Sequence, residues 1–188
     1  MFVLRVNREI TLQLRDESHA QETFDLIKKN KHLREWMQWY EVVKTLKDSI
    51  NNIEGNIEDW EMKTDYHLGI FYQDQMVGMI SLHAINYLAN KAAIGYWLDK
   101  DYEGKGIITS SVKKLMEYGF DELGLNRIEI GAGVPNLRSR AIPEKLGFKL
   151  EGILRENMLL NGVYIDMAMY GMLKSEYKEL IELNKKLQ

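Results

Sequence analysis

Two glycines one residue apart, Gly104 and Gly106, stand directly before an amphipathic segment in "DYEGKGIITSSVKKLMEYGF" (101–120). Glycine permits positive φ angles and leaves space for a ligand beside the main chain. The first turn of a helix has unpaired N–H groups and the positive end of the helix dipole, which together bind anions such as phosphate. The spacing therefore predicts a phosphate-binding loop, although two glycines that only shape a turn would give the same pattern.

The strand predicted over residues 126–134 carries a second unusual pattern. Side chains alternate between the two faces of a strand, so Glu129, Gly131 and Gly133 share one face while apolar residues occupy the other. Glycines weaken a strand unless another group packs closely against the bare backbone. This face is therefore a candidate ligand surface.

Asn136 and Ser139 follow that strand and precede a short helical segment that Gly147 ends. Either side chain could contact a ligand bound beside the strand. Asn and Ser are also common helix N-caps, because their side-chain oxygens accept hydrogen bonds from first-turn N–H groups. Taken alone, these residues favour capping.

Several other kinds of site are excluded by the absence of their motifs. A dinucleotide fingerprint needs G-x-G-x-x-G, but Thr109 occupies the third glycine position, and the sequence contains no Walker A string. The chain has no cysteine, which excludes thiolate metal sites and a cysteine nucleophile. The histidines show no metal-binding spacing; they are His19, His32, His67 and His83. We expect no metal site.

Hydrophobic periodicity predicts the elements that position these residues. Strands are expected over 10–15, 66–72, 76–85, 91–98 and 126–134, and Asn161-Gly162 predicts a closing hairpin. Helices are expected after the candidate N-caps Ser18 and Thr45, after Gly106, over 137–146 and over 174–186. We predict one domain over residues 1–188 of the α/β (α+β) class. Its central sheet would be mixed and mostly antiparallel, with about seven strands and helices on both faces.

The composition limits the partners. The formal net charge of −3 and the pI near 5.9 argue against a broad nucleic-acid footprint. The absence of cysteine agrees with a reducing cytoplasm. No apolar run approaches the roughly 20 residues of a membrane span, and the N-terminus lacks the features of a signal peptide. We expect a cytoplasmic protein that binds neither nucleic acid directly nor a membrane.

Three segments together resemble the GNAT superfamily of acetyl-CoA-dependent N-acetyltransferases, of the RimJ/RimL type that acetylates ribosomal-protein N-termini. They are "IGYWLDKDYEGKGIITSS", "LGLNRIEI" and "NLRSRAIPEKLGFKLEG". The pyrophosphate loop of the family reads Q/R-x-x-G-x-G/A, and Gly104 and Gly106 match its glycines. Asp101 stands where Gln or Arg is usual, which puts a contribution of that side chain in doubt.

The resemblance implies how coenzyme A would bind. The amides of residues 103–109 would hold its phosphates, and the pantetheine arm would add along residues 96–98, where that strand splays from strand 126–134. Asn136 would bind the arm, and Ser139 would act as general acid towards the thiolate. The implied cofactor-binding residues are Tyr96, Trp97, Leu98, Glu103, Gly104, Lys105, Gly106, Ile107, Ile108, Thr109, Asn136 and Ser139.

The sequence does not single out one residue as the general base. Glu129 lies on the candidate ligand face and is the catalytic partner that we assign to Ser139; His83 and Tyr96 are alternatives. Each has a structural explanation as well, since Glu129 could pair with an arginine and His83 could be a satisfied core histidine.

The resemblance implies transfer of acetyl from acetyl-CoA to a primary amine. An α-amine has a pKa near 8 and lysine one near 10.4, so neutralising lysine costs about 3.3 kcal/mol more, and this favours a protein N-terminus, ribosomal or other. The alternatives are a small amine (polyamine, amino sugar or antibiotic) and a non-catalytic acyl-CoA-binding module. A wide, open, acid-lined groove would favour a peptide, and a small closed pocket a metabolite. Whether the chain forms a homodimer stays open.

Overall fold

The computed structural model describes residues 2–186, in which eight strands and five α-helices occur. The strands are β1 (Val3–Arg5), β2 (Ile10–Leu14), β3 (Tyr66–Tyr72), β4 (Gln75–Asn86), β5 (Lys91–Leu98), β6 (Arg127–Gly133), β7 (Lys149–Leu160) and β8 (Val163–Leu173). The helices are α1 (Ala20–Lys29), α2 (Leu46–Met62), α3 (Ile107–Glu117), α4 (Leu137–Lys145) and α5 (Lys174–Lys186). None of the helices within the described range has both the length and the apolar character of a membrane span.

All eight strands belong to one sheet in the order β1-β2-β3-β4-β5-β6-β8-β7, and only β5 and β6 are parallel neighbours. The predicted mixed, mostly antiparallel sheet is confirmed. The expectation of about seven strands falls one short because it omits β1. This strand has three residues, too few to show the alternation from which strands are recognised.

Helices cover both faces of the sheet, as predicted. Val112 and Leu115 of α3 are fully buried against one face together with Ile80 of β4. On the opposite face, Ile27 of α1 packs with Phe71 of β3. Alternate strand residues therefore face two separate apolar layers, and the site lies between the second face and α1 and α2.

The helix starts confirm one predicted cap and correct the other. Thr45 caps α2 in a reciprocal capping box, in which Asp48 Oδ2 accepts a hydrogen bond from the Thr45 amide at 2.8 Å. The expected cap at Ser18 is wrong. Helix α1 begins after His19 without a side-chain cap. Asp16 instead caps the preceding 3-10 turn Glu17–His19, where His19 Nδ1 accepts from the Asp16 backbone N–H at 3.2 Å. A histidine ring nitrogen here replaces the acidic or amide side chain that a capping box usually has at this position.

Strands β5 and β6 separate part-way along their length. They pair only at Lys91–Arg127, Ala92–Ile128 and Ala93–Glu129. Beyond those pairs β5 continues beside β4 as far as Leu98, and β6 continues beside β8. The backbone of residues 94–98 therefore borders an open wedge, as the family resemblance implied.

Candidate active site

The glycine loop connects β5 to α3. Gly104 and Gly106 both adopt left-handed angles, with φ of +76° and +73°, and no atom lies within 4 Å of the position that a Cβ would occupy at either glycine. The first intrahelical hydrogen bond runs from Ser110 N to Gly106 O at 3.0 Å, and no side chain caps the helix. The amides of residues 107–109 therefore lie at the exposed positive end of α3. Helix N-termini with these properties suit a phosphate.

Two basic side chains, Lys29 and Arg138, hold this loop through ion pairs. Lys29 Nζ of α1 lies 2.6 Å from Asp101 Oδ2 and 2.7 Å from Oδ2 of the buried Asp99. The Lys29 ammonium lowers the pKa of the Asp101 carboxyl. Arg138 of α4 donates from Nη1 to Glu103 Oε2 at 2.7 Å. Asp101 thus anchors the loop to α1, and Glu103 connects it to the helix that carries Ser139.

Ser139 and Tyr96 meet at the open end of the wedge. Ser139 Oγ lies 3.4 Å from Tyr96 Oη, and the Tyr96 hydroxyl donates to the backbone carbonyl of Ser139 at 2.9 Å. Burial raises the pKa of Tyr96 to about 12. Asn136 caps α4, because its Oδ1 accepts from Ser139 N at 3.1 Å. The site therefore presents two protonated hydroxyls side by side.

A cavity of about 760 Å³ adjoins these hydroxyls. Residues from β5, Gly95 and Trp97 among them, and Gly131 and Gly133 of β6 contribute to its wall. The bare face of β6 also accommodates neighbouring side chains, since a Cβ at 131 would lie 3.2 Å from Met169 Sδ. Asp48 contributes the one carboxylate among the lining residues that the structure describes. The groove is therefore wide but is not acid-lined.

The fold and these contacts match known acetyltransferases. Residues 9–149 match the acetyltransferase (GNAT) domain family. The chain belongs to the GNAT acetyltransferases. It is 38% identical over 186 residues to the putative ribosomal N-acetyltransferase YdaF of Bacillus subtilis, covering 95% of this chain and 98% of the relative.

Two solved structures extend the comparison to ligands. RimL, a ribosomal L7/L12 α-N-protein acetyltransferase in complex with coenzyme A, is 31% identical, with a TM-score of 0.90 over 93% of this chain and 99% of that one. The microcin C7 self-immunity acetyltransferase MccE, in complex with acetyl-CoA and AMP, is 34% identical, with a TM-score of 0.86 over 89% and 94%. Acetyl-CoA is the co-substrate of this GNAT enzyme. The bare backbone at Gly104 and Gly106 leaves room for its phosphates beside the start of α3.

Glu129 of the GNAT enzyme does not lie beside Ser139 but is paired with basic side chains. Its Oε1 accepts from Arg127 Nε at 2.7 Å, and Lys91 Nζ lies 3.7 Å from Oε2. Arg127 also pairs with Glu151. Glu129 is not among the described residues that line the cavity, and its role as general base stays a prediction.

Two histidines on the cavity wall are better placed for proton transfer. His83 Nδ1 lies 3.1 Å from Ser81 Oγ, and a Cβ at Gly95 would lie 3.1 Å from His83 Cε1. His67 Nε2 lies 3.8 Å from Asp65 Oδ2. Burial lowers the pKa of both histidines, and Asp65 opposes that shift in each case. Each ring is therefore neutral at neutral pH and able to accept a proton.

Sequence reasoning missed part of the GNAT site. His67 was named only in the search for metal-binding spacing, yet it pairs in register with Ser81 and lines the cavity with His83. The alternation of β3 places it opposite the apolar core residues, and this was the available signal. Asn52 of α2 also lines the cavity, and periodicity marks it only as a polar face residue.

Proposed function

We propose that this enzyme acetylates the N-terminal α-amine of a protein, of which ribosomal proteins are the leading candidates. The observation that carries the proposal is the cavity beside Ser139. Its volume of about 760 Å³ suits several residues of a peptide chain. The cavity meets the size expected for a peptide groove but not the expected acid lining, since Asp48 supplies the one carboxylate among the described lining residues. A polyamine, which carries several ammonium groups, would find equally little opposite charge there. The names of YdaF and RimL point to the same class of acceptor.

Coenzyme A would be held by the backbone of two segments. The amides of residues 103–109 would bind its phosphates at the start of α3, and the free edge of Tyr96, Trp97 and Leu98 would pair with the pantetheine amides as a strand would. Asn136 would contribute its free amide group to the arm, since only its Oδ1 is engaged in the cap. Acetyl-CoA supplies the activated acetyl group that the acceptor amine attacks.

Ser139 would hold and then give up the proton that the leaving sulfur needs. Its hydroxyl is half-buried and adjoins Tyr96 Oη at 3.4 Å. Tyr96 stays protonated because burial raises its pKa to about 12. This makes Tyr96 a poor base. Its single O–H proton is donated to the Ser139 carbonyl, so Tyr96 positions the Ser139 hydroxyl as a hydrogen-bond acceptor, and Ser139 regains its proton from solvent after the thiol leaves.

His83 is the base that we favour. Its ring is half-buried, neutral and in contact with Ser81 on the wall of the acceptor cavity. The amine must lose its proton before attack, and an α-amine with a pKa near 8 does so readily. A histidine whose pKa lies below its usual value accepts that proton only weakly, and this matches an α-amine better than it matches lysine.

Acetylation of a small amine is the second candidate. It is favoured by the structural neighbour MccE, which was solved with AMP. A nucleotide-linked or sugar-linked amine would also fit the cavity volume.

Mass spectrometry of acetylated products tests the proposal. The protein would be incubated with acetyl-CoA and two acceptor sets: hexapeptides with free N-termini from ribosomal proteins, and polyamines with aminoglycosides. Acetyl addition at peptide α-amines, located by fragmentation, is the expected result. Product on small amines alone would refute the protein substrate but would retain acetyl transfer.

A further inference from the structure

A guanidinium buried beside the cavity has no carboxylate partner within the described part of the chain. Arg15 follows β2 and is 1% exposed. Its Nη1 and Nη2 donate to Thr23 Oγ1 and Asn52 Oδ1, each at 3.3 Å, and its Nε has no hydrogen-bond partner among the residues that the structure describes. Gly69 of β3 leaves room for it, since a Cβ there would lie 3.3 Å from Arg15 Cγ. A buried cation without a counter-ion is costly, so its retention calls for an explanation.

Arg15 determines which way the Asn52 amide points. A guanidinium can only donate hydrogen bonds, so the Asn52 atom that faces it is the oxygen. Asn56 Nδ2 donates to the same Oδ1 at 3.3 Å. With the oxygen held between two donors, the Asn52 Nδ2 protons are turned away from Arg15. Asn52 is exposed and lines the cavity, so its free donor faces the space that receives the acceptor.

The surrounding charges favour an oxygen at this donor. The Arg15 charge polarises the Asn52 amide and strengthens its N–H groups as donors. Asp48, the lining carboxylate, is already held by the backbone amides of Lys44 and Thr45 at 2.9 and 2.8 Å. An ammonium group placed against Asn52 Nδ2 would meet a donor and, behind it, a buried cation, which is unfavourable.

We infer that Asn52, oriented by Arg15, selects the acceptor by donating a hydrogen bond to one of its oxygen atoms. The enzyme would therefore prefer primary amines that carry a carbonyl or hydroxyl oxygen close to the amine, as a peptide N-terminus does, over polyamines that carry none. The inference rests on the proposed function and adds the residue that enforces it. Arg15 is a positioning residue that acts through Asn52.

The test measures acceptor binding separately from turnover. Calorimetric titration of a serine-initiated hexapeptide into the CoA-loaded protein gives a Kd without reaction. Asn52→Leu removes the donor, and Asn52→Asp keeps an oxygen towards Arg15 but replaces the amide nitrogen with a second oxygen. Loss of a hydrogen bond from a polarised donor predicts a peptide Kd about tenfold higher in both variants. Asn51→Asp adds the same charge to the cavity wall and should change Kd less than about threefold.

Selectivity supplies the second measurement. The ratio of kcat/KM for serinamide to that for spermidine should fall about tenfold in Asn52→Leu. Arg15→Lys, which keeps a charged donor, should retain more of this ratio than Arg15→Met does. If circular dichroism shows that Arg15→Met does not fold, the inference is tested by the Asn52 variants alone.

These measurements distinguish failure of the inference about Asn52 from failure of the proposed function. Peptide acetylation with an unchanged Kd and selectivity ratio in both Asn52 variants would overturn the inference and leave the proposed function intact. Acetylation of spermidine without any of serinamide or peptide would overturn both.

Discussion

Removal of the Ser139 hydroxyl is the sharpest test of the catalytic assignment. Ser139→Ala deletes only Oγ. The Asn136 cap and the Tyr96 hydrogen bond both engage the backbone of residue 139, at 3.1 and 2.9 Å, and both remain. Alanine is also the better helix former, by about 0.5 kcal/mol. The melting temperature and the CoA affinity should therefore stay unchanged.

The loss of turnover can be estimated from the same geometry. A positioned general acid contributes about 10²- to 10⁴-fold. We expect the lower end, about 10²-fold or ~2.7 kcal/mol, because Tyr96 Oη lies 3.4 Å away and can donate in its place once its hydrogen bond to the Ser139 carbonyl is broken. Tyr96→Phe leaves the Ser139 carbonyl without its donor and should cost about 1 kcal/mol of folding stability.

Single-turnover kinetics is the appropriate assay because it isolates acetyl transfer from product release. Wild type, Ser139→Ala, Tyr96→Phe and the double variant together form a double-mutant cycle. If the hydroxyls act as one unit, the double variant should lose less than the product of the two single losses. A Ser139→Ala rate within threefold of wild type would refute the assignment of Ser139 as general acid.

Three further outcomes are expected. Gly106→Ala forces a side chain into φ of +73°, so it should cost about 1 kcal/mol of folding stability and weaken CoA binding in a fluorescence titration. The control, Gly55→Ala, lies inside α2 with open space around it and should stabilise the fold. Equal effects of the two variants would contradict the role of the loop in binding CoA. Glu129→Gln should keep most of the turnover, because its carboxylate is shared between two cations, and a loss beyond 10²-fold would instead make it the base. Burial lowers the folded-state pKa of His67 and His83, so the unfolded chain binds more protons and folding stability should decline as pH falls below about 6.5. Thermal melts of the variant with both histidines changed to Gln should show a shallower decline of melting temperature with pH. The same decline in wild type and variant would refute this prediction.

Local rules predicted much of this fold because its elements follow them. Thr45 and Asp48 form a capping box, and Asn161-Gly162 forms the hairpin turn between β7 and β8. Residues 107–109 could be placed at a helix start because glycines at positive φ precede them.

Contacts between distant segments could not be predicted in the same way. Lys29 is 70 residues from Asp99 along the chain, and Arg15 is 37 from Asn52. Side-chain hydrogen bonds of this kind leave no periodic trace in the sequence. Glu129 is a different case, because its face on β6 and an arginine partner were both expected, and that partner, Arg127, lies two residues away on the same strand.

The short parallel contact between β5 and β6 has a consequence for how the molecule is built. Within the sheet, only three pairs of strand residues join a block made from residues 3–98 to a block made from residues 127–173. Within each block, neighbouring strands are antiparallel and mostly consecutive in the chain, so each has local partners during synthesis. The wedge that receives coenzyme A is the boundary between the blocks, and it comes into existence only when the second block docks. Cofactor binding is therefore expected to report completed assembly, since neither block alone has both walls of the wedge.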